Sequence, residues 1–433
     1  MQTSPVRHSV AQRPVAQCSV AQEPVAQEPV AQRPVAQQPG WPDTEALSTV
    51  KHRLAVSLPL VMPRESDLLK HRLAAVAEGR AVLLQGGDCA ESLDTSLSVM
   101  ENRLDTLSRM AAALSGRTAL PVVVLARMAG QYAKPRSSAV EVRDGVTLPS
   151  YRGESVNGQE FTAAARTPDP YRMLRAHEAA AATLNLARAL VGGSPTTTRG
   201  QVPEELFVSH EALLLDYEMP LTRIDPYSRR PYAGSGHLLW AGERTRDPDG
   251  AHIAYLAGIR NPVAVKIGPT AEPDELLALI ERLDPDQEPG RLTFVVRMGA
   301  TVVRENLPLL VEKVAASGAR VGWVTDPMHG NTYTAPSGHK TRGFDAVLDE
   351  ITGFFDVHRA LGTHPGGIHL EMTGEDVTEC VGGLAGIGHD DLASRYESAC
   401  DPRLNREQSL ELAQRVAEIV ATRRLPAAAA AWT

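Results

Sequence analysis

Positive charge is in short supply in this chain of 433 residues. Its 44 Lys and Arg stand against 52 Asp and Glu, a formal net charge of -8. General nucleic-acid and membrane-surface binders usually carry a basic surplus, so both classes are disfavoured. Long apolar runs are missing too: no uncharged stretch reaches the roughly 18–20 residues that a membrane span needs. The opening MQTSPVRHSV has no apolar core of the kind a secretory signal requires. Cysteines number four (Cys18, Cys89, Cys380 and Cys400), too few and too widely spaced for a disulfide framework. The sequence contains no GxxxxGK[ST] and no GxGxxG after its first apolar run, and no GxSxG elbow surrounds Ser235-Gly236-His237, which argues against the corresponding nucleotide and nucleophile sites. These absences predict a soluble, cytoplasmic globular protein. At 43% hydrophobic residues, the chain has ample material for a large core.

The first forty residues are low in complexity. From Val10 the tripeptide Val-Ala-Gln recurs six times at a spacing of five, mostly followed by Glu-Pro, Arg-Pro or Gln-Pro. Proline at that frequency removes amide donors and blocks helix, so residues 1–40 are expected to form an extended, mobile tail. The remainder, 41–433, reads as one catalytic domain with an N-terminal helical extension over Thr44 to Ala77. Beyond it, short apolar runs alternate with helical stretches: Ala81–Gln85, Pro121–Arg127, Leu206–His210, His237–Ala241, Val263–Lys266, Leu292–Arg297, Val321–Asp326 and Gly367–Glu371. Continuous apolar strands alternating with helices signify a parallel sheet covered on both faces. Eight such units predict a (β/α)8 TIM barrel, with an elaborated connection between strands 2 and 3 from about Arg136 to Glu205. An open doubly wound sheet is the rival, but it would place polar residues at only a few strand ends.

Polar residues instead follow every run. A basic set (Arg127, Lys134, Arg136, Arg244, Lys266 and Arg297) would converge on one barrel mouth, and converging cations call for a polyanionic ligand. Arginine forks suit phosphate and carboxylate, and Lys134-Pro135-Arg136-Ser137-Ser138 adds hydroxyl donors on a stiffened loop. Surface ion pairing is the plainer account of any one of these residues alone. A second set (Cys89, His329, Glu371 and Asp401) stands in glycine- or proline-marked loops and mixes thiolate, imidazole and carboxylate donors suited to Mn²⁺, Co²⁺, Fe²⁺ or Zn²⁺. No metal-ligand spacing links them; packing roles stay open, and Asp326 and His369 compete as ligands.

The blocks QGGDCAES, ARMAGQYAKPRSS, SYRGESVNG, VSHEALLLDYE, SGHLLWAGERTRDPDGAHIAYLAGIRNPVAVKIGP, VVRMGA, WVTDPMHGNT, GGIHLEMTGEDVTEC and ESACDPRLNREQSLELA closely resemble the class II, plant-like 3-deoxy-D-arabino-heptulosonate 7-phosphate (DAHP) synthases. The resemblance runs in order from about Trp41 to Ala421. It implies a (β/α)8 barrel and a metal-dependent condensation of phosphoenolpyruvate, erythrose 4-phosphate and water that releases phosphate, the first step of the shikimate pathway. Motif by motif, it implies Cys89, His329, Glu371 and Asp401 as ligands of a divalent metal, Mn²⁺ first, with Co²⁺, Fe²⁺ or Zn²⁺ as alternatives. Phosphoenolpyruvate maps to Arg127, Glu243, Arg244, Lys266 and Arg297, and erythrose 4-phosphate to Lys134, Pro135, Arg136 and Ser137. Among these, Lys266 orients the enol, Glu243 orders the attacking water, and Lys134 or His369 manages a proton at the aldehyde oxygen. Self-association as a homodimer or homotetramer, and a chorismate mutase partner, are further implications.

The segment between KPRSS and VSHEALLLDYE is shorter than in primary-metabolism members, which carry helices there for aromatic amino-acid inhibition. An enzyme insensitive to tryptophan, serving secondary metabolism, is the expectation. An amino-DAHP synthase of an aminohydroxybenzoate antibiotic pathway would carry nearly the same motifs. A non-catalytic regulatory paralogue would need neither the intact ligand set nor the basic set. Cys400 precedes Asp401 directly, so its thiol is expected near Cys89, where loss of metal would permit a disulfide.

Overall fold

The computed structural model describes residues 33–192 and 205–422, together with Val30. Most of the Val-Ala-Gln repeats, Cys18 and the alanine run Ala427–Ala431 lie outside the described residues. The eight apolar runs form strands β1 (Val82–Gly87), β2 (Val122–Arg127), β3 (Phe207–Glu211), β4 (Leu238–Ala241), β5 (Val263–Ile267), β6 (Leu292–Val296), β7 (Gly322–Thr325) and β8 (Gly367–Glu371). They close a barrel in the order β1-β8-β7-β6-β5-β4-β3-β2, every neighbour parallel.

The two-residue period of each strand decides which side chains fill the barrel. Leu83, Val123, Phe207, Leu238, Ala264, Val295 and Val324 pack together inside. Their neighbours Val82, Leu84, Val124, Val208, Val263 and Phe294 belong to the larger outer layer under the helices. The helical extension resolves into α1 (Thr44–Val56) and α2 (Pro63–Ala77). Asp43 caps α1 by accepting from the Ala46 amide at 2.8 Å, which satisfies one of the amides a helix start leaves open. Leu69, Leu73 and Val76 of α2 join the inner cluster, so this helix closes the lower end of the barrel, where the strands begin.

The outer ring follows as α3 (Leu97–Thr118), α4 (Tyr171–Gly192), α5 (Ala251–Ala257), α6 (Pro273–Leu283), α7 (Val303–Ser317), α8 (Phe344–Ala360) and α9 (Arg406–Thr422), with α9 packed along α3. The elaboration between β2 and β3 holds a hairpin (Val140–Arg143 with Val146–Pro149), the short helix Ala163–Arg166, and α4. A small hairpin, Thr222–Ile224 with Pro231–Ala233, lies between β3 and β4, and a second hairpin outside the elaboration, Thr332–Thr334 with Lys340–Arg342, follows β7. Among the described residues, no helix is long and apolar enough to cross a membrane.

Residues 33–40, assigned to the mobile tail by the repeat pattern, lie against the barrel. Gln38 Nε2 donates to Leu213 O at 2.7 Å, and Gln38 Oε1 accepts from the Leu215 amide at 3.1 Å. The Ala251 amide donates to Pro34 O at 3.0 Å. The proline-interrupted segment forms no helix, yet its carbonyls and amide side chains find partners on three barrel loops.

Candidate active site at the C-terminal mouth of the barrel

Above the apolar layer the inward positions turn polar. Gln85 of β1 donates to Ser209 Oγ at 2.9 Å and accepts from His369 Nδ1 at 2.7 Å. The other ring nitrogen of His369 accepts from Arg127 Nη1 at 2.8 Å. Burial holds the His369 imidazole well below its ordinary range, and Lys266 and Arg127 add repulsion. Both nitrogens of the ring are engaged. His369 thereby fixes the Arg127 guanidinium, which also donates to Glu371 Oε1 at 3.2 Å. Trp240 lies edge-on to His369, with ring centroids 5.3 Å apart.

Three of the four expected metal ligands converge. One ligand atom each from His329, Glu371 and Asp401 lies within 4.8 Å of the others. Asp326 accepts from His329 Nδ1 at 2.7 Å, which turns Nε2 toward Glu371 Oε1, 3.2 Å away. A carboxylate behind a histidine is the usual means of fixing the tautomer that a metal requires. Burial works against the imidazolium of His329, but Asp326 and Glu371 outweigh it and raise its pKa. Glu371 is fully buried; burial opposes its charge, and His329, Lys134 and Arg342 hold it well below the carboxylate range. Asp401 sits between Lys134 and Lys340, each at 3.3 Å.

Cys89, the fourth expected ligand, is buried but does not fall within that radius of the other three. Interaction with the neighbouring Cys400 thiol brings its pKa to about 7 against the effect of burial, with Lys134 adding to the depression. Ser398 Oγ lies 3.2 Å from its sulfur. The two cysteines are therefore adjacent, as the neighbouring position of Asp401 suggests. Two carboxylates and an imidazole with a thiol alongside suit a divalent metal of intermediate softness, and one ligand atom from each of His329, Glu371 and Asp401 already faces the others. The residues fit the group.

The basic set divides. Lys266, at the end of β5, is buried and donates to Asp326 Oδ2 at 2.5 Å. Burial brings its pKa to about 8, although Asp326 pulls the other way. Arg297 is half-buried and donates to His329 O at 2.9 Å. Arg244 is exposed. Glu243 accepts from Arg246 at 3.2 Å, while its buried Oε2 has no hydrogen-bond partner. A Cβ on Gly268 would come within 2.6 Å of Glu243 Oε1, so the glycine just past β5 lets this carboxylate reach across. Lys134 is buried, 3.5 Å from Glu371 Oε1. Pro135 is half-buried and Ser137 exposed. Arg136 turns away from the metal set and donates to Glu141 Oε1 at 3.0 Å.

Two residues at the centre have no place in the sequence reading. Arg342, in the hairpin after β7, is fully buried with Nη2 2.8 Å from Glu371 Oε2, and donates from Nε to Thr332 Oγ1 at 2.8 Å. Its charge inside the block KTRG was the only signal. Glu211, ending β3, has its pKa raised by burial, although Lys134 and Lys266 oppose this. Its position one residue past the run Leu206–His210 could have marked it. Asp326 was weighed as a ligand, and it stands behind His329.

Residues 25–204 and 191–417 match the family described as the Class-II DAHP synthetase family. The chain is 55% identical over 423 residues to "Phospho-2-dehydro-3-deoxyheptonate aldolase" from Streptomyces coelicolor, a match that covers 88% of this chain and 94% of that one. It is 47% identical over 429 residues to "Phospho-2-dehydro-3-deoxyheptonate aldolase AroG" from Mycolicibacterium smegmatis, covering 88% and 92%. A truncated 3-deoxy-D-arabino-heptulosonate 7-phosphate synthase from Thermotoga maritima aligns at 15% identity and a TM-score of 0.38, over 79% of this chain and 87% of that one. The family match extends over most of the chain and takes in every block that supplies the residues at this mouth, so the chain belongs to the class-II DAHP synthetase family.

Proposed function

We propose that this barrel condenses phosphoenolpyruvate with erythrose 4-phosphate and water by a metal-assisted route, giving DAHP and inorganic phosphate. The observation that carries this reading is the meeting of His329, Glu371 and Asp401 within 4.8 Å of one another beside Lys134 and Lys266. Those three residues, with Cys89, would hold the metal. Mn²⁺ is our first assignment from the mixed donor set. When bound, it supplies Lewis-acid polarisation of the aldehyde carbonyl.

The chain's own residues do the rest. Lys266, Arg127, Arg297 and Arg244 hold the phosphate and carboxylate of phosphoenolpyruvate, with Arg127 locked by His369 and Glu371. Such positioning turns a collision between two dissolved anions into a reaction of aligned neighbours. The methylene carbon of the enol attacks the aldehyde carbon, and the aldehyde oxygen gains a proton. Lys134 is kept cationic by Glu371 and Asp401 against the pull of burial, so it supplies positive charge where that oxygen becomes negative. Water, ordered by Glu243, adds to the former enol carbon and gives up a proton. The hemiketal phosphate then loses phosphate by carbon–oxygen cleavage. Lys134, Pro135, Arg136 and Ser137 form the erythrose 4-phosphate end of the site.

The shortness of the sequence between KPRSS and VSHEALLLDYE supports a form without the aromatic-inhibition helices. The two family-matched stretches overlap at residues 191–204, within that segment, and we assign the chain to secondary metabolism on that ground. Self-association as a dimer or tetramer, and docking of a chorismate mutase, rest on family resemblance.

The direct test follows phosphoenolpyruvate by its ultraviolet absorbance, with erythrose 4-phosphate and either Mn²⁺ or EDTA. Loss of signal only with both substrates and metal supports the reading. No consumption with any divalent metal overturns it.

A further inference from the structure

The last Val-Ala-Gln unit does more than lie on the surface. Gln37 has a left-handed backbone (φ 60°), unusual for a residue with a side chain. That conformation lets it serve two loops at once. Its Oε1 accepts from the Arg136 amide at 2.9 Å, and its carbonyl oxygen accepts from Arg152 Nη1 at 3.2 Å. The same two loops are joined directly by the Lys134 amide, which donates to Arg152 O at 2.8 Å. Arg152 is half-buried, and among the described residues no carboxylate forms an ion pair with it. Arg136 beside it has Glu141 at 3.0 Å, whereas the Arg152 guanidinium lacks a carboxylate and so calls for an anion.

The register of this strap is encoded. Gln38 both donates, to Leu213 O, and accepts, from the Leu215 amide. The five earlier repeats carry Arg, Cys or Glu at that place. Arginine cannot accept, glutamate cannot donate, and a cysteine thiol is only a weak donor and acceptor with a single polar atom, so the sixth unit is the one that suits both backbone groups at once and brings its own glutamine to Arg136.

We propose that Gln37 is a positioning residue for the phosphate of the aldehyde substrate, acting by holding the Arg136 loop and Arg152 in a shared anion-binding geometry. The inference rests on the condensation proposed above. Neutrality is essential to this role: an acceptor is needed at position 37, but a negative charge there would compete with the phosphate for the arginines.

Steady-state kinetics on the full-length, Mn²⁺-loaded enzyme test it. Gln37→Ala is expected to raise KM for erythrose 4-phosphate about tenfold, with KM for phosphoenolpyruvate and kcat changed less than about twofold. Gln37→Glu keeps the acceptor and is expected to raise the same KM further. Gln38→Glu, which loosens the strap, is expected to act in the same direction as Gln37→Ala. A merely structural role predicts the reverse order, with Gln37→Glu close to wild type. That order, or an unchanged KM for erythrose 4-phosphate in Gln37→Ala, overturns the inference while leaving the reaction intact. A wild-type enzyme that condenses nothing overturns the underlying reading itself, and this inference with it.

Discussion

Asp326 Oδ2 accepts both from His329 Nδ1, at 2.7 Å, and from Lys266 Nζ, at 2.5 Å. One fully buried carboxylate oxygen thus orients an expected metal ligand and the lysine assigned to phosphoenolpyruvate. Burial opposes its charge, and His329 and Lys266 together hold it well below the carboxylate range.

The substitution Asp326→Asn keeps the shape and removes the charge. Loss of a carboxylate behind a metal-binding histidine costs roughly 10–100-fold in metal affinity. We expect that loss for Mn²⁺ by calorimetric titration, together with a raised KM for phosphoenolpyruvate, because Lys266 loses the anion that favours its cationic form. Unchanged Mn²⁺ affinity would show that Asp326 does not support the metal site.

Lys266 gives the reaction an alkaline limit. Burial brings its pKa to about 8, with Asp326 opposing and Arg127 adding to the fall. In the proposed site the cationic form holds the anionic substrate; that form predominates below this pKa and is lost above it. kcat/KM for phosphoenolpyruvate should therefore fall as pH rises past about 8. Lys266→Arg should move the fall to higher pH, since a guanidinium keeps its proton. A limb in the same place in both proteins would assign it to another group.

Cys89 and Cys400 are neighbours, and Cys400 lowers the pKa of the Cys89 thiol. Diamide can take two electrons and two protons from such a pair, leaving a sulfur–sulfur bond and a hydrazine. Metal-free protein treated with diamide is expected to lose activity that Mn²⁺ alone does not restore and dithiothreitol with Mn²⁺ does. Cys400→Ser should be immune. Equal loss in wild type and Cys400→Ser would rule the pair out.

Aromatic amino acids should have little effect. Initial rates with tryptophan, phenylalanine or both at saturating concentration are expected to match the rate without them. Strong inhibition by either would contradict the assignment drawn from the short segment between KPRSS and VSHEALLLDYE.

The barrel was legible because strands buried on both faces are written as unbroken apolar runs. VVVLA and LTFVV could hardly be anything but core, and the ends observed differ from those read by only one or two residues. Strand-end side chains such as Lys266, Arg127 and Glu371 were legible for the same reason: a barrel sends them all to one mouth. Loop residues were not. Arg342 reaches Glu371 only because a hairpin after β7 folds over the mouth, and no periodicity encodes that path. His369 shares Gln85 with β1 because the first and last strands meet when the barrel closes, a contact between residues 284 positions apart. Gln37 was concealed by its repeat, since the same tripeptide occurs five times with no partner specified in sequence.

The apolar layer inside the barrel leaves its polar residues a single outlook. Leu69, Leu73 and Val76 pack in one cluster with Leu83, Val123 and Val295, so the interior below the polar residues is solid and Lys266, Arg127 and Glu371 can be approached only from the opposite end. On the assignment proposed above, both substrates would share that one approach, and an order of binding in the catalytic cycle would follow from the packing of residues that touch neither substrate.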